Sequence, residues 1–157
     1  MSLRPGLEVA LQHPSSPLEP AQVARAVDAA LAHGGRPGLA VGVVLAGDDL
    51  MAEVHGEHLG DPTTTDVISY DLGDPGPAGG PEAELYVGVE VAGRVAAERG
   101  VEPARELALY VVHGVLHLCG FDDLTDEDAA AMRVAERAVL DGLGYPPDDA
   151  PHHAEDA

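Results

Sequence analysis

The sequence predicts a single α+β domain in which a small, mixed, four-stranded sheet carries about five helices. Three observations lead there. Short strand-like apolar runs interleave irregularly with helix-period segments, unlike the strict alternation of a parallel α/β fold. Proline and glycine punctuate the starts and stops of those segments. A chain of 157 residues with 45 % hydrophobic content can bury one core.

Leu7 to Leu11 alternates weakly and reads as an edge strand before the turn-rich His13-Pro14-Ser15-Ser16-Pro17. Pro20 opens a helix with Val23, Val27, Ala30 and Leu31 at helical spacing, stopped by Gly34-Gly35. Leu39 to Leu45 is a continuous apolar run, the pattern of a buried strand. Asp48 or Asp49 caps a helix reaching about Leu59, with Leu50, Met51, Val54 and His58 marking its inner face. The β-branched stretch Thr65 to Tyr70 is the next strand, and the Gly/Pro/Ala-rich Asp74 to Pro81 is a loop. Leu85, Val87 and Val89 alternate with polar or small residues as a strand, and a helix follows from Val91 to Glu98, stopped by Gly100. Pro103 suits the first turn of a helix running Ala104 to Cys119 and ending at Gly120. Thr125-Asp126-Glu127-Asp128 carries a capping pattern for a last helix ending near Gly142. The domain is expected to span residues 1–145, and the Pro, Asp, His and Ala of residues 146–157 to form a disordered acidic/His tail.

The formal charge is −20, with 28 acidic residues against 8 basic ones, and every basic residue is an arginine. They are scattered: Arg4, Arg25, Arg36, Arg94, Arg99, Arg105, Arg133 and Arg137. Nothing forms the basic stripe of an ordinary nucleic-acid binder, and like-sign repulsion opposes phosphate contact. The single Cys119 excludes an internal disulfide and fits a reducing compartment. No run approaches the roughly 20 apolar residues that span a bilayer, and the N-terminus lacks a charged-then-apolar signal pattern, so a cytoplasmic location and no membrane partner are expected.

The chemistry concentrates in His113-Gly114-Val115-Leu116-His117-Leu118-Cys119-Gly120-Phe121-Asp122-Asp123. Residues four apart on a helix share a face, about 5–6 Å apart at Cβ, so two imidazoles can converge on one ion. Gly120 can adopt the left-handed conformation that ends the helix and turns Asp122 or Asp123 towards the same point. The set has the spacing of metzincin zinc sites with two differences: Gly114 replaces the general-base Glu, and Asp123 replaces the third His. Without a side chain at 114, peptide hydrolysis by that route has no base. The competing reading is that both histidines are hydrogen-bonded polar groups on an apolar, buried helix. His55 and His58, with Glu53 and Glu57, are a second candidate metal cluster, and Cys119 reads as a buried structural thiol with no basic residue nearby to activate it.

His-Gly-Val-Leu-His-Leu-Cys-Gly-Phe-Asp closely resembles the signature of the YbeY family, and Thr65-Asp66-Val67-Ile68-Ser69-Tyr70 resembles its second mark. Glu106-Leu107, Met132 and Glu136 also sit as that family places them, and the similarity covers Leu39 to Leu143. The resemblance implies a single α+β domain, one zinc ion and a cytoplasmic location. It also implies single-strand-specific endoribonuclease action on RNA in 16S rRNA maturation and ribosome quality control, with the ribosomal subunit or a ribosomal protein as partner. The metal would sit at the end of the central helix on His113, His117 and Asp123.

Asp123 departs from the family's third histidine. A carboxylate is an acceptable ligand at about 2.0–2.2 Å but lowers the site's charge, and another divalent ion becomes possible. Leu59 stands where the family often carries an Arg, and Ala83-Glu84 where Gly-Asp commonly opens the third strand. Cleavage then calls for Arg94, Arg99 or Arg105 to reach the site. Asp122 is the nearest carboxylate to orient a histidine or a water, and no general base is evident. The rival is a non-catalytic ribosome-assembly factor with a structural metal.

Overall fold

The computed structural model describes residues 6–12, 16–59, 66–73, 81–122 and 124–145. In chain order the elements are β1 (Leu7–Leu11), α1 (Pro20–Gly34), β2 (Val41–Ala46), α2 (Asp48–Leu59), β3 (Val67–Asp71), β4 (Ala83–Gly88), α3 (Val89–Arg99), α4 (Pro103–Leu118) and α5 (Asp126–Gly142). They form one α+β domain whose sheet has the order β1-β2-β4-β3. β1, β2 and β4 run parallel, and β3 pairs antiparallel with β4, so the sheet is mixed, with β1 and β3 at its edges. Both the predicted fold class and the edge position of β1 hold.

The two central strands explain their own composition. Val41, Val43 and Leu45 of β2, in register with Ala83, Leu85 and Val87 of β4, join the main core with α1, α4 and α5. The opposite face of the sheet is covered by α2, whose Met51 and Val54 pack with Ala46, Ile68, Val44, Tyr70 and Tyr86. A strand covered on both faces has no solvent side, hence the unbroken apolar run in β2. Most helices lie on one face, as expected, and α2 alone closes the other.

Cap chemistry agrees with the sequence where it was most explicit. Thr125 Oγ1 accepts a hydrogen bond from the Asp128 backbone N–H at 3.0 Å. Pro20 and Pro103 occupy the first turns of α1 and α4. One expectation shifts: Val89 begins α3 instead of continuing β4, with no loop between them. Val89 is buried at the first turn of α3, an inward position that satisfies strand and helix periods alike. The loop expected at Asp74 to Pro81 and the tail expected at 146–157 lie outside the described residues, apart from Pro81. No helix among the described residues is long and apolar enough to cross a membrane.

α4 is the axis of the domain. Twelve of its sixteen residues are buried, among them Arg105 and Glu106. Glu106 is fully buried and receives an Arg99 Nη1 hydrogen bond at 3.0 Å, so this charge enters the core already paired. The helix lies unusually close to the sheet at Gly114. A Cβ there would fall 2.5 Å from Leu85 Cδ1, 2.8 Å from Val67 Cγ2 and 3.1 Å from Ser69 Oγ. Ser69 Oγ donates to the Gly114 carbonyl at 2.9 Å, tying β3 to the same point. Gly114→Ala is therefore expected to destabilise the fold by about 1–3 kcal/mol, despite alanine's better helix propensity. A denaturant titration giving equal or higher stability would refute that close approach.

Candidate metal centre

From Arg105 to Leu118 every residue of α4 is buried except His113 and His117, which are half-buried. The two histidines are thus the openings in an otherwise enclosed helix. The helix ends as its sequence requires: Gly120 has φ 99°, its N–H donates to the His117 carbonyl, and the Phe121 N–H donates to the Leu116 carbonyl, both at 3.0 Å. Only glycine takes that left-handed conformation without strain, and the chain turns back at once.

The imidazole rings stand edge to face, 4.6 Å between centroids at 80°. Their Nε2 atoms are 3.1 Å apart. Two nitrogens about 2.0–2.1 Å from one tetrahedral zinc would be about 3.3–3.4 Å apart, so the spacing fits a shared ion. It also fits a hydrogen bond in which one ring donates to the other. His113 Nδ1 lies 2.5 Å from Glu136 Oε2 of α5, with only 3 % of the Glu136 side chain exposed. A carboxylate only accepts, so Nδ1 carries the proton and the Nε2 lone pair of His113 faces out of the helix. That tautomer is the one a metal ligand needs.

The two histidines open into a cleft of about 440 Å³, lined also by His55 of α2 and by Asp66, Val67, Ile68, Ser69 and Tyr70. Side chains alternate across a strand, so five consecutive residues line a cleft that follows the edge of β3, not one of its faces. Asp66 Oδ1 accepts from the Val67 N–H at 2.7 Å. Asp122 lines a separate concavity of about 460 Å³ with Cys119, Gly120, Phe121, Asp128 and Ala131. Asp123 lies outside the described residues. Among the described residues no three His, Cys, Asp or Glu side chains are grouped to hold an ion.

The carboxylate that orients His113 is therefore Glu136, where the sequence reading gave such a role to Asp122. A signal for it exists in the sequence. Glu136 falls in the buried stripe of α5 with Met132, Val139 and Leu140, and a carboxylate in such a stripe needs a partner. Of the second candidate cluster, His55 lines the His113 cleft and Glu53 is exposed, while the side chains of Glu57 and His58 are outside the described ones.

None of the arginines lines the cleft among the described residues. Arg36 Nη1 donates to the Leu118 carbonyl at 2.8 Å, Arg94 is bound to Asp48 at 2.7 Å, and Arg99 to Glu106. Arg105 and Arg137 line a groove between α4 and α5, while Arg25 and Arg133 are exposed on α1 and α5. The condition set for cleavage, that Arg94, Arg99 or Arg105 reach the site, is not met among the described residues.

Cys119 is half-buried against Gly34 of α1, where any Cβ would overlap its side chain. Burial pushes its thiol pKa up, and the nearby Arg36, which the sequence reading did not anticipate, only partly opposes this. The native thiol should accordingly alkylate much more slowly with iodoacetamide at pH 7.5 than the urea-unfolded chain does. Equal rates in the two states would show it to be an open, activated thiol.

Comparison with known proteins adds a second line of argument. A family model described as Endoribonuclease YbeY matches residues 16–144. The chain is 37 % identical over 130 residues to the protein named Endoribonuclease YbeY of Moorella thermoacetica, covering 76 % of this chain and 83 % of that one. With the Endoribonuclease YbeY of Laribacter hongkongensis it shares 36 % over 129 residues, covering 80 % and 77 %. The solution structure of TM1509 from Thermotoga maritima superposes with a TM-score of 0.60 at 19 % identity, covering 94 % of this chain and 98 % of that one. That last likeness concerns the fold alone.

Proposed function

This chain belongs to the YbeY endoribonuclease family, and we propose that it is a metal-dependent, single-strand-specific endoribonuclease of 16S rRNA maturation and ribosome quality control. The observation that carries this reading is the pair of Nε2 atoms 3.1 Å apart in an open cleft, with the His113 ring held by Glu136 through its Nδ1. His113 and His117 would hold a zinc ion together with Asp123, and another divalent ion is an alternative because a carboxylate completes the set. When bound, the ion would acidify a water and polarise a phosphoryl oxygen. The chain's own residues do the rest. Glu136 keeps the His113 tautomer, Gly114 keeps the helix against the sheet, and the edge of β3 bounds the space for one unpaired strand. Partners would be single-stranded rRNA and the ribosomal subunit or one of its proteins, in the cytoplasm.

The rival reading, a non-catalytic assembly factor with a structural metal, is favoured by the absence of arginine from the described cleft walls. One assay separates them. Zinc-loaded protein should cleave single-stranded rRNA fragments, while chelated protein and a His113→Ala control prepared identically should not. Cleavage that survives in the control would come from a contaminant, and zinc-loaded protein without activity would favour the rival.

Metal binding has its own readouts. About one ion per chain is expected, lost in His113→Ala and in His117→Ala. Imidazole ligates only when neutral, so affinity should fall as pH drops below about 6.5. Metal at a hundred times its Kd should add about 2.7 kcal/mol of stability, which a melt with and without chelator detects. Glu136→Gln should weaken affinity about 10–100-fold without changing the ion count.

Position 123 separates ligand from bystander. If Asp123 is the third ligand, Asp123→Ala should weaken binding strongly and Asp123→His should preserve or tighten zinc, because imidazole suits that ion well. Unchanged affinity in Asp123→Ala together with lost binding in Asp122→Ala would transfer the ligand role to Asp122.

A further inference from the structure

We propose that the groove between α4 and α5 is a second contact for the RNA, in which Arg137 and Arg105 take a phosphate of the single strand outside the cleft; the inference rests on the ribonuclease reading of the two-histidine centre. RNA carries a negative charge at every phosphate, and a chain of formal charge −20 must meet it with cations somewhere. The described walls of the cleft hold no arginine. Arg36, Arg94 and Arg99 are engaged within the fold, on the Leu118 carbonyl, Asp48 and Glu106. The groove, about 400 Å³ in volume, instead brings two guanidinium groups to its walls.

Like charges gather at this groove although the chain has only 8 basic residues against 28 acidic ones. Arg105 is 7 % exposed, and burial lowers its pKa; repulsion from Arg99 and Arg137 lowers it further, opposed by Glu106 and Glu136. Arg137 is exposed and, among the described residues, forms no ion pair, although Asp141 lines the same groove. Repulsion between guanidinium groups costs stability, whereas an anion between Arg105 and Arg137 relieves it and accepts hydrogen bonds from both. Beside the two arginines the wall is apolar: Val134 is 70 % exposed, with Leu140 and Tyr145 next to it. An unpaired base can lie on such a surface while its phosphate meets the arginines, and a duplex, whose bases stay stacked inside, cannot use it. The position suits one continuous strand. Arg105 lies about 12 Å along α4 from His113, and on α5 Arg137 directly follows Glu136, which holds the His113 ring. An acidic protein segment would find the same charges, but the family to which the chain belongs acts on RNA, and its strand already passes close by.

The experiment reads binding of a fluorescent, phosphorothioate-linked single-stranded oligoribonucleotide by anisotropy across a salt series. Arg137→Gln is compared with Arg25→Gln, which removes the same charge from an exposed position on α1. Arg137→Gln should weaken affinity several-fold and reduce the slope of log K against log salt by about 0.7, the share of one phosphate contact on a single strand. Arg25→Gln should do neither, and Arg137→Lys, which keeps the charge, should restore most of the slope. In cleavage assays the Arg137→Gln defect should fall more on KM than on kcat and should shrink as the substrate oligonucleotide is shortened. An unchanged slope in Arg137→Gln, or equal losses in the two Gln variants, overturns the proposal. So does a glutamate-rich peptide that binds wild type more tightly than the oligoribonucleotide and loses that binding in Arg137→Gln, which would give the groove to a protein partner. If zinc-loaded wild type fails to cleave, the ribonuclease reading falls, and the anisotropy arm still decides whether the groove holds RNA.

Discussion

The backbone of Gly114 rests against Leu85 and Val67 with no room for a β-carbon, and the placement of the histidines follows from that contact. It sets the depth of α4 in the domain, one residue from His113 and three from His117. Ser69 reinforces it by bonding the Gly114 carbonyl from β3, so the cleft wall and the cleft floor are joined through one peptide unit. A helix buried on nearly every side cannot rotate or slide without breaking core contacts, which fixes the direction in which its two histidines leave it. The stability of the domain and the geometry of the site are therefore set by the same packing.

Electrostatics then decides what that geometry is good for. Two buried carboxylates in the region have local partners: Glu106 the guanidinium of Arg99, and Glu136 the Nδ1–H of His113. Both carboxylates point into the core and neither faces the cleft, although the chain as a whole carries −20. The pocket walls present imidazoles, a hydroxyl, aliphatic groups and one carboxylate that is bonded to its neighbour's amide.

Much of this was legible in the sequence, and the reasons differ from element to element. α4 and α5 were readable because a proline or a threonine cap opens each and a glycine closes α4, signals that act within a few residues. The histidine pair was readable because its spacing matches the helical period. The boundary between β4 and α3 was not, since Val89 is an inward-facing position under either period. Glu136 gained its partner from another helix, 23 residues away, and no local rule connects the two. That His55 lines the cleft was hidden for the same reason, because α2 packs on the face of the sheet opposite the main core. Asp123 fell outside the described residues, so its place in the set rests on the spacing of the motif and the family resemblance.

The tight seat of Gly114 also limits what this scaffold can become. A single substitution to glutamate would supply the base that metalloproteases carry at this point of the helix, and the rest of the spacing is already in place. Here the new side chain would have to displace Leu85 from β4 and Val67 from β3, the residues that anchor the sheet to α4. Acquiring the base would demand smaller residues at both positions first, each step opening a cavity in the core before any new chemistry existed to favour it. The route from this fold to a peptidase passes through an uphill intermediate.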